Sequence, residues 1–242
     1  MDQKISQTYK SQNFDNRVNN VKIKYIILHY TETKTLKQAI KLLCSDVRKV
    51  SSHFVIDEFG NIFNLVDEDK RAWHAGESSW HKETRINDLS IGIEIVYEGE
   101  KSKRKYSDSQ INSLIILINY LKEKYRIKQS NILGHSDIAP LRKIDPGVFF
   151  PWEKLFKNKI GIWPKGLKKN KKDNRDLSNK EFILFLKNLE KIGFNTINFE
   201  ADFNKNKYTI NAFHRHYLGD HLNKKPSYFS YLVSQEIIKL TD

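Results

Sequence analysis

The chain has 242 residues, room for one domain of ordinary size and a smaller one. Hydrophobic residues make up 39% of it, enough to build a core, which excludes a disordered chain. Lys and Arg number 42 against 29 Asp and Glu, a net charge of +13; a single cysteine, Cys44, excludes both a disulfide framework and a cysteine-based zinc site.

The first residues, MDQKISQTYKSQNFDNRV, lack the hydrophobic region of a secretory signal, and a cytoplasmic location is expected, with the periplasm, reached by an unrecognised route, as the alternative. No apolar run approaches the roughly 18 residues that a membrane span needs. KIKYIILH, Lys22 to His29, is rich in β-formers and predicts a buried strand. Thr35-x-x-Gln38 has the pattern of a helix start, and Leu36, Ala39, Ile40 and Leu43 follow at helical spacing. Cys44 ends that apolar stretch and reads as a buried, unreactive thiol. His53 to Val66 reads as a hairpin turning at Glu58-Phe59-Gly60-Asn61. Ile91 to Val96 alternates as a strand should. Ser107-x-x-Gln110 opens a long amphipathic helix through Ile111, Leu114, Ile115, Ile118 and Leu121. NILGH predicts another strand, and GHSDIAPLRKIDPGVFFPW, Gly134 to Trp152, follows as a loop crowded with polar side chains and stiffened by prolines. Strands mixed with helices predict an α/β domain, a central mixed β-sheet flanked by helices.

Past Trp163-Pro164 the composition changes. Lys165 to Arg175, KGLKKNKKDNR, is almost free of apolar residues and reads as an exposed basic linker. Three short helices are expected beyond it. One is capped by Ser178-x-x-Glu181, a second carries Ile210, Phe213 and Tyr217, and a third starts near Pro226. The expected division is residues 1–160, a linker at 161–176, and a three-helix domain at 177–242. The lysines are spread along the chain rather than gathered into a stripe, so the positive charge reads as a solvated surface.

Eight histidines are present, and position singles out two. His29 closes an apolar strand and His135 closes a second strand-like segment; strand ends in open α/β sheets face ligand clefts. Asp145, ten positions beyond His135, precedes a Pro-Gly turn. Two imidazoles and a carboxylate form a set suited to zinc, with a fourth position left for water. The spacing is irregular, and by itself it leaves open the plainer reading of separate, partly buried polar residues. Glu94 shares its strand face with Gly92 and Val96, which do not look like a solvent face. A carboxylate there is costly to bury unless paired or protonated, and next to a metal it would serve as general base. Lys143, two residues before Asp145, could offer an ammonium to an oxyanion.

These stretches resemble the zinc-dependent N-acetylmuramoyl-L-alanine amidases of the amidase type 2 group, which share their fold with peptidoglycan recognition proteins. The resemblance runs from about Ser11 to Trp152. It rests on SQNFDNR, IILHYTET, SSHFVIDEFGNIFNLVDEDKRAWHAG, IGIEIV and GHSDIAPLRKIDPGVFFPW, in that order. It implies that His29, His135 and Asp145 bind Zn2+, that Glu94 activates water and that Lys143 assists at the tetrahedral intermediate. It also implies that Trp73 and His74 of AWHAG, with Tyr30, line the substrate cleft. His53 reads as a core histidine or a support for a ligand. Leu141 departs from the small residue common in that group and is expected to alter the cleft rim. The C-terminal helices, INAFHRHYL above all, resemble a peptidoglycan-binding module, with a plain packing appendage as the alternative, and His214, His216 and His221 are not expected to bind metal.

The implied partners are peptidoglycan or muropeptide fragments. No nucleic acid is expected, because basic and aromatic residues are not interleaved on one face. A non-catalytic binder of wall fragments is the alternative, and loss of a metal ligand would favour it. The sequence leaves the oligomeric state open.

Overall fold

Two short strands, β1 (Ile5–Ser6) and β2 (Phe14–Asn16), open the chain in the computed structural model, which describes residues 5–19, 21–167 and 171–241. Next come β3 (Tyr25–Tyr30), helix α1 (Leu36–Leu43), β4 (Phe54–Ile56), β5 (Ile62–Asn64), β6 (Lys70–Ala72), the short α2 (Ile86–Leu89) and β7 (Ser90–Ile95). The long α3 (Asp108–Tyr125) leads to β8 (Ile132–Gly134), α4 (His135–Ile138) and α5 (Trp152–Lys157). Helices α6 (Asn179–Ile192), α7 (Phe203–Tyr217) and α8 (Tyr228–Thr241) complete the chain.

Six strands form one mixed sheet in the order β1-β5-β4-β7-β3-β8, and β2 pairs with β6 apart from it. Strands β4, β7, β3 and β8 run parallel, while β5 turns back on β4 through the expected hairpin. The Asp57 carboxylate closes that hairpin by accepting from the backbone N–H groups of Phe59 and Asn61 at 2.9 and 2.7 Å. Gly60 sits in the turn at φ +91°, where a side chain would be strained.

The period of two decides what each face meets. Ile26 and Leu28 of β3 stand beside Ile91 and Ile93 of β7, and α3 covers them with Ile111, Leu114, Leu117, Ile118 and Leu121. Helix α3 starts at a full capping box of Ser107 and Gln110, as its sequence predicts. On the opposite face, Tyr25, Ile27 and Leu133 join Trp80, Ile86 and Leu89 in a cluster continuous with Phe185, Leu189, Ile210 and Phe213 of α6 and α7. The three C-terminal helices therefore share a core with the face of the sheet that carries His29.

Three expectations shift in detail. Strand β3 begins at Tyr25 instead of Lys22, because Lys22 and Lys24 stay exposed and the ladder starts where both faces are buried. His135 is the first residue of a short helix, one step beyond its strand. Cys44 caps α1 half-buried, and burial pushes its thiol up, in keeping with an unreactive role. The basic linker falls partly outside the described residues, at 168–170. No helix among the described residues is long and apolar enough to cross a membrane.

Candidate active site

The parallel strands deliver their C-terminal ends to one place. His29 is the penultimate residue of β3, and Glu94 stands directly beside it on β7. Strand β8, on the other side of β3 from β7, ends at Gly134, so His135 emerges next to His29. Asp145 returns from the loop, its carbonyl accepting from Ser136 N at 2.9 Å. His29 Nδ1, His135 Nδ1 and Asp145 Oδ2 then meet in a triangle of 2.9, 3.0 and 3.1 Å sides. Among the described residues these three are the group able to hold a metal ion, and all are buried.

Which ring nitrogens carry protons follows from their partners. His135 Nε2 faces the carbonyl of Ala75 at 3.1 Å; a carbonyl only accepts, so Nε2 holds the hydrogen and Nδ1 is bare. Ser90 Oγ donates to Ile86 O at 2.5 Å, so its oxygen accepts from His74 Nε2 at 3.2 Å. His74 Nδ1 is then the acceptor for His29 Nε2 at 3.0 Å, which leaves His29 Nδ1 bare as well. Burial, then the neighbouring His135, pulls His29 down to about 4, so the ring is neutral at pH 7. Burial also holds His74 well below its ordinary value, with His29 and His53 adding to the effect. Burial pushes Asp145 up, but the two histidines outweigh it and keep the carboxyl ionised. Three lone pairs thus converge with no proton between them, and a divalent cation fits that donor set. Tetrahedral ligands at zinc distances stand about 3.3 Å apart, a few tenths of an ångström wider than the triangle.

A cleft of about 330 Å³ opens over the triangle, and all eight residues singled out from the sequence line it: His29, Tyr30, Trp73, His74, Glu94, His135, Lys143 and Asp145. Glu94 is half-buried and its Oε2 has no hydrogen-bond partner among the described residues. Burial, then the negative Asp145, raises Glu94 to about 8, while Lys143 opposes the shift. Trp73 is fixed to the wall by its indole N–H, which donates to Asp15 Oδ2 at 2.7 Å. Tyr30 also lines the cleft, its phenol pushed up by burial. Leu141 is 60% exposed, at the lip of a neighbouring hollow that shares Arg142 with the cleft.

The sequence reading placed His74 in the cleft wall and did not see that it also stands behind His29. The signal was Gly92. A Cβ there would lie 2.5 Å from His74 Cγ, so the strand must present glycine for the imidazole to fit. His53 is a core residue: its Nδ1 accepts from Gly92 N at 3.0 Å and its Nε2 faces Lys70 O. Ser90, which acts on His29 through His74, and the Ala75 carbonyl behind His135 went unseen because a serine and a backbone oxygen carry no motif.

A mixed sheet with a buried His-His-Asp triangle and a raised glutamate at its strand ends defines a site that could hold a metal ion beside a titratable carboxylate. The chain belongs to the N-acetylmuramoyl-L-alanine amidase family, whose model matches residues 19–148. It is 38% identical over 156 residues to N-acetylmuramoyl-L-alanine amidase AmiD of Escherichia coli, a match covering 59% of this chain and 55%, less than two thirds, of that one. It is 34% identical over 163 residues to 1,6-anhydro-N-acetylmuramyl-L-alanine amidase AmpD of Haemophilus influenzae, covering 60% of this chain and 87% of the relative. The structure of E. coli AmiD in complex with anhydro-N-acetylmuramic acid-L-Ala-D-gamma-Glu-L-Lys superposes with a TM-score of 0.80 at 27% identity, over 93% of both chains.

Proposed function

We propose that the chain hydrolyses the amide bond between the lactyl group of N-acetylmuramic acid and L-alanine in muramyl peptides, the 1,6-anhydro forms included. The observation that carries this reading is the proton-free triangle of His29, His135 and Asp145 beside a half-buried Glu94. A Zn2+ ion held by the three would supply Lewis acidity, which acidifies water and polarises the scissile carbonyl.

The remaining steps belong to the chain's own residues. Glu94 takes a proton from the attacking water; its value near 8 is that of the metal-free site, and a cation held by the triangle would lower it so that the carboxylate is ionised at neutral pH. The Lys143 ammonium, lining the same cleft, stabilises the negative charge that develops on the carbonyl oxygen. Glu94 then returns its proton to the departing L-alanine nitrogen, so the products are the free lactyl acid and the stem peptide. Trp73 and Tyr30, which line the same cleft, contact the substrate in this proposal.

In the same proposal residues 1–160 carry the chemistry, 161–176 form the basic linker, and 177–242 form a three-helix unit similar to peptidoglycan-binding modules. Mass spectrometry of an anhydro-muropeptide digested with and without a chelator tests the activity. Free stem peptide, lost on chelation and restored by zinc, is expected. Binding of the muropeptide without turnover in excess zinc would make the chain a fragment-binding protein instead. The cytoplasmic location is tested separately by fractionating cells; recovery in the envelope or the medium removes it.

A further inference from the structure

Helix α7 reaches the metal triangle from the C-terminal unit through two adjacent side chains. His216 Nδ1 lies 2.8 Å from Asp137 Oδ2, and both side chains are almost wholly buried. The same oxygen accepts from Gly134 N at 2.7 Å, the peptide unit that launches His135. Trp152 stacks on the His216 ring with centroids 3.8 Å apart. One residue earlier, Arg215 Nε donates to Glu100 Oε1 at 2.6 Å. That oxygen also accepts from Val148 N at 2.7 Å, three residues past Asp145, and Gly147 lies against the Glu100 side chain. Successive helix positions diverge by about 100°, which lets neighbours on one helix serve two separate segments.

We propose that α7 is part of the metal-site scaffold. Arg215 and His216 are positioning residues: through Glu100 and Asp137 they hold the two backbone segments that present Asp145 and His135. The apolar cluster shared by the sheet and α6–α8 already supplies adhesion. Polar groups withdrawn from water gain little net stability by pairing, so these two contacts are better explained by what they orient. Each acid bonds at once to α7 and to a backbone N–H of a ligand-bearing segment, which is the arrangement by which outer partners tune a metal site. The inference rests on the metal reading above.

The test uses the full-length chain and measures zinc affinity by competition with a chelator, alongside metal-free Tm and kinetics on an anhydro-muropeptide. His216→Phe keeps the stack on Trp152 and removes the donor; Arg215→Met keeps the apolar stem and removes the guanidinium. Each is expected to weaken zinc binding about 10-fold and to lower kcat at fixed zinc with KM unchanged. His216→Asn, which restores a donor near the Nδ1 position, is expected to recover most of the affinity. Unchanged zinc affinity in both loss variants, with only Tm reduced, would show simple packing and overturn the inference. Should His216→Phe fail to fold, Arg215→Met decides alone. A parent chain that binds no zinc overturns the metal reading first and this inference with it.

Discussion

The two faces of strands β3 and β7 carry opposite solutions to burial. One face presents Ile26, Leu28, Ile91 and Ile93 to α3, with no polar group to satisfy. The other presents His29 and Glu94 side by side, with Gly92 left bare so that His74 fits behind. Each strand is both core and site because alternate residues point opposite ways. The apolar face anchors the strands, and the polar face uses that rigidity to hold groups that would rather be in water.

If the two faces are separable, variants on one should spare the property of the other. Asp145→Ala removes a ligand and is expected to lower activity by at least ~10³-fold with loss of bound zinc, read by kinetics and metal analysis. Glu94→Gln is expected to lower activity by about 10²–10⁴-fold with zinc retained. It should also stabilise the metal-free chain. The folded carboxyl, raised to about 8, holds its proton longer than the unfolded one, so the wild type loses stability as pH rises from near 4.5 to 8. The Tm advantage of the glutamine should therefore grow across that window and level off above it, by roughly 2–4 °C for each kcal/mol. Leu114→Ala, on the apolar side, is expected to cost about 2–5 kcal/mol in denaturant unfolding while kcat of the folded fraction stays unchanged. Gly92→Ala is expected to weaken zinc binding about 10-fold by displacing His74, with a smaller effect on Tm. A change in kcat for Leu114→Ala, or none in zinc affinity for Gly92→Ala, would break the separation.

Much of this was legible in the residues. The β-formers of Lys22 to His29, the alternation in Ile91 to Val96, the capping boxes at Ser107 and Ser178, and the order of the motifs led to the main strands and to eight of the residues that line the cleft. Strands β1, β2 and β6 were not legible: they span two or three residues of mixed polarity, IS, FDN and KRA, with no run of β-formers to mark them. Nor were the bonds from Arg215 and His216, which join positions 115 and 79 residues apart. Contacts of that range are created by docking one element on another, and the local sequence carries no trace of them.

The strip Trp73–Ala75 has three jobs in three residues: an indole on the cleft wall, an imidazole behind His29, and a carbonyl behind His135. It behaves as a jig whose pitch is set by the peptide repeat. Inserting or deleting one residue there would misalign both ligand rings at once, whereas segment 165–175, remote from the triangle in sequence, should accept altered length. Anyone grafting this centre onto another scaffold would have to transplant the strip along with the ligands.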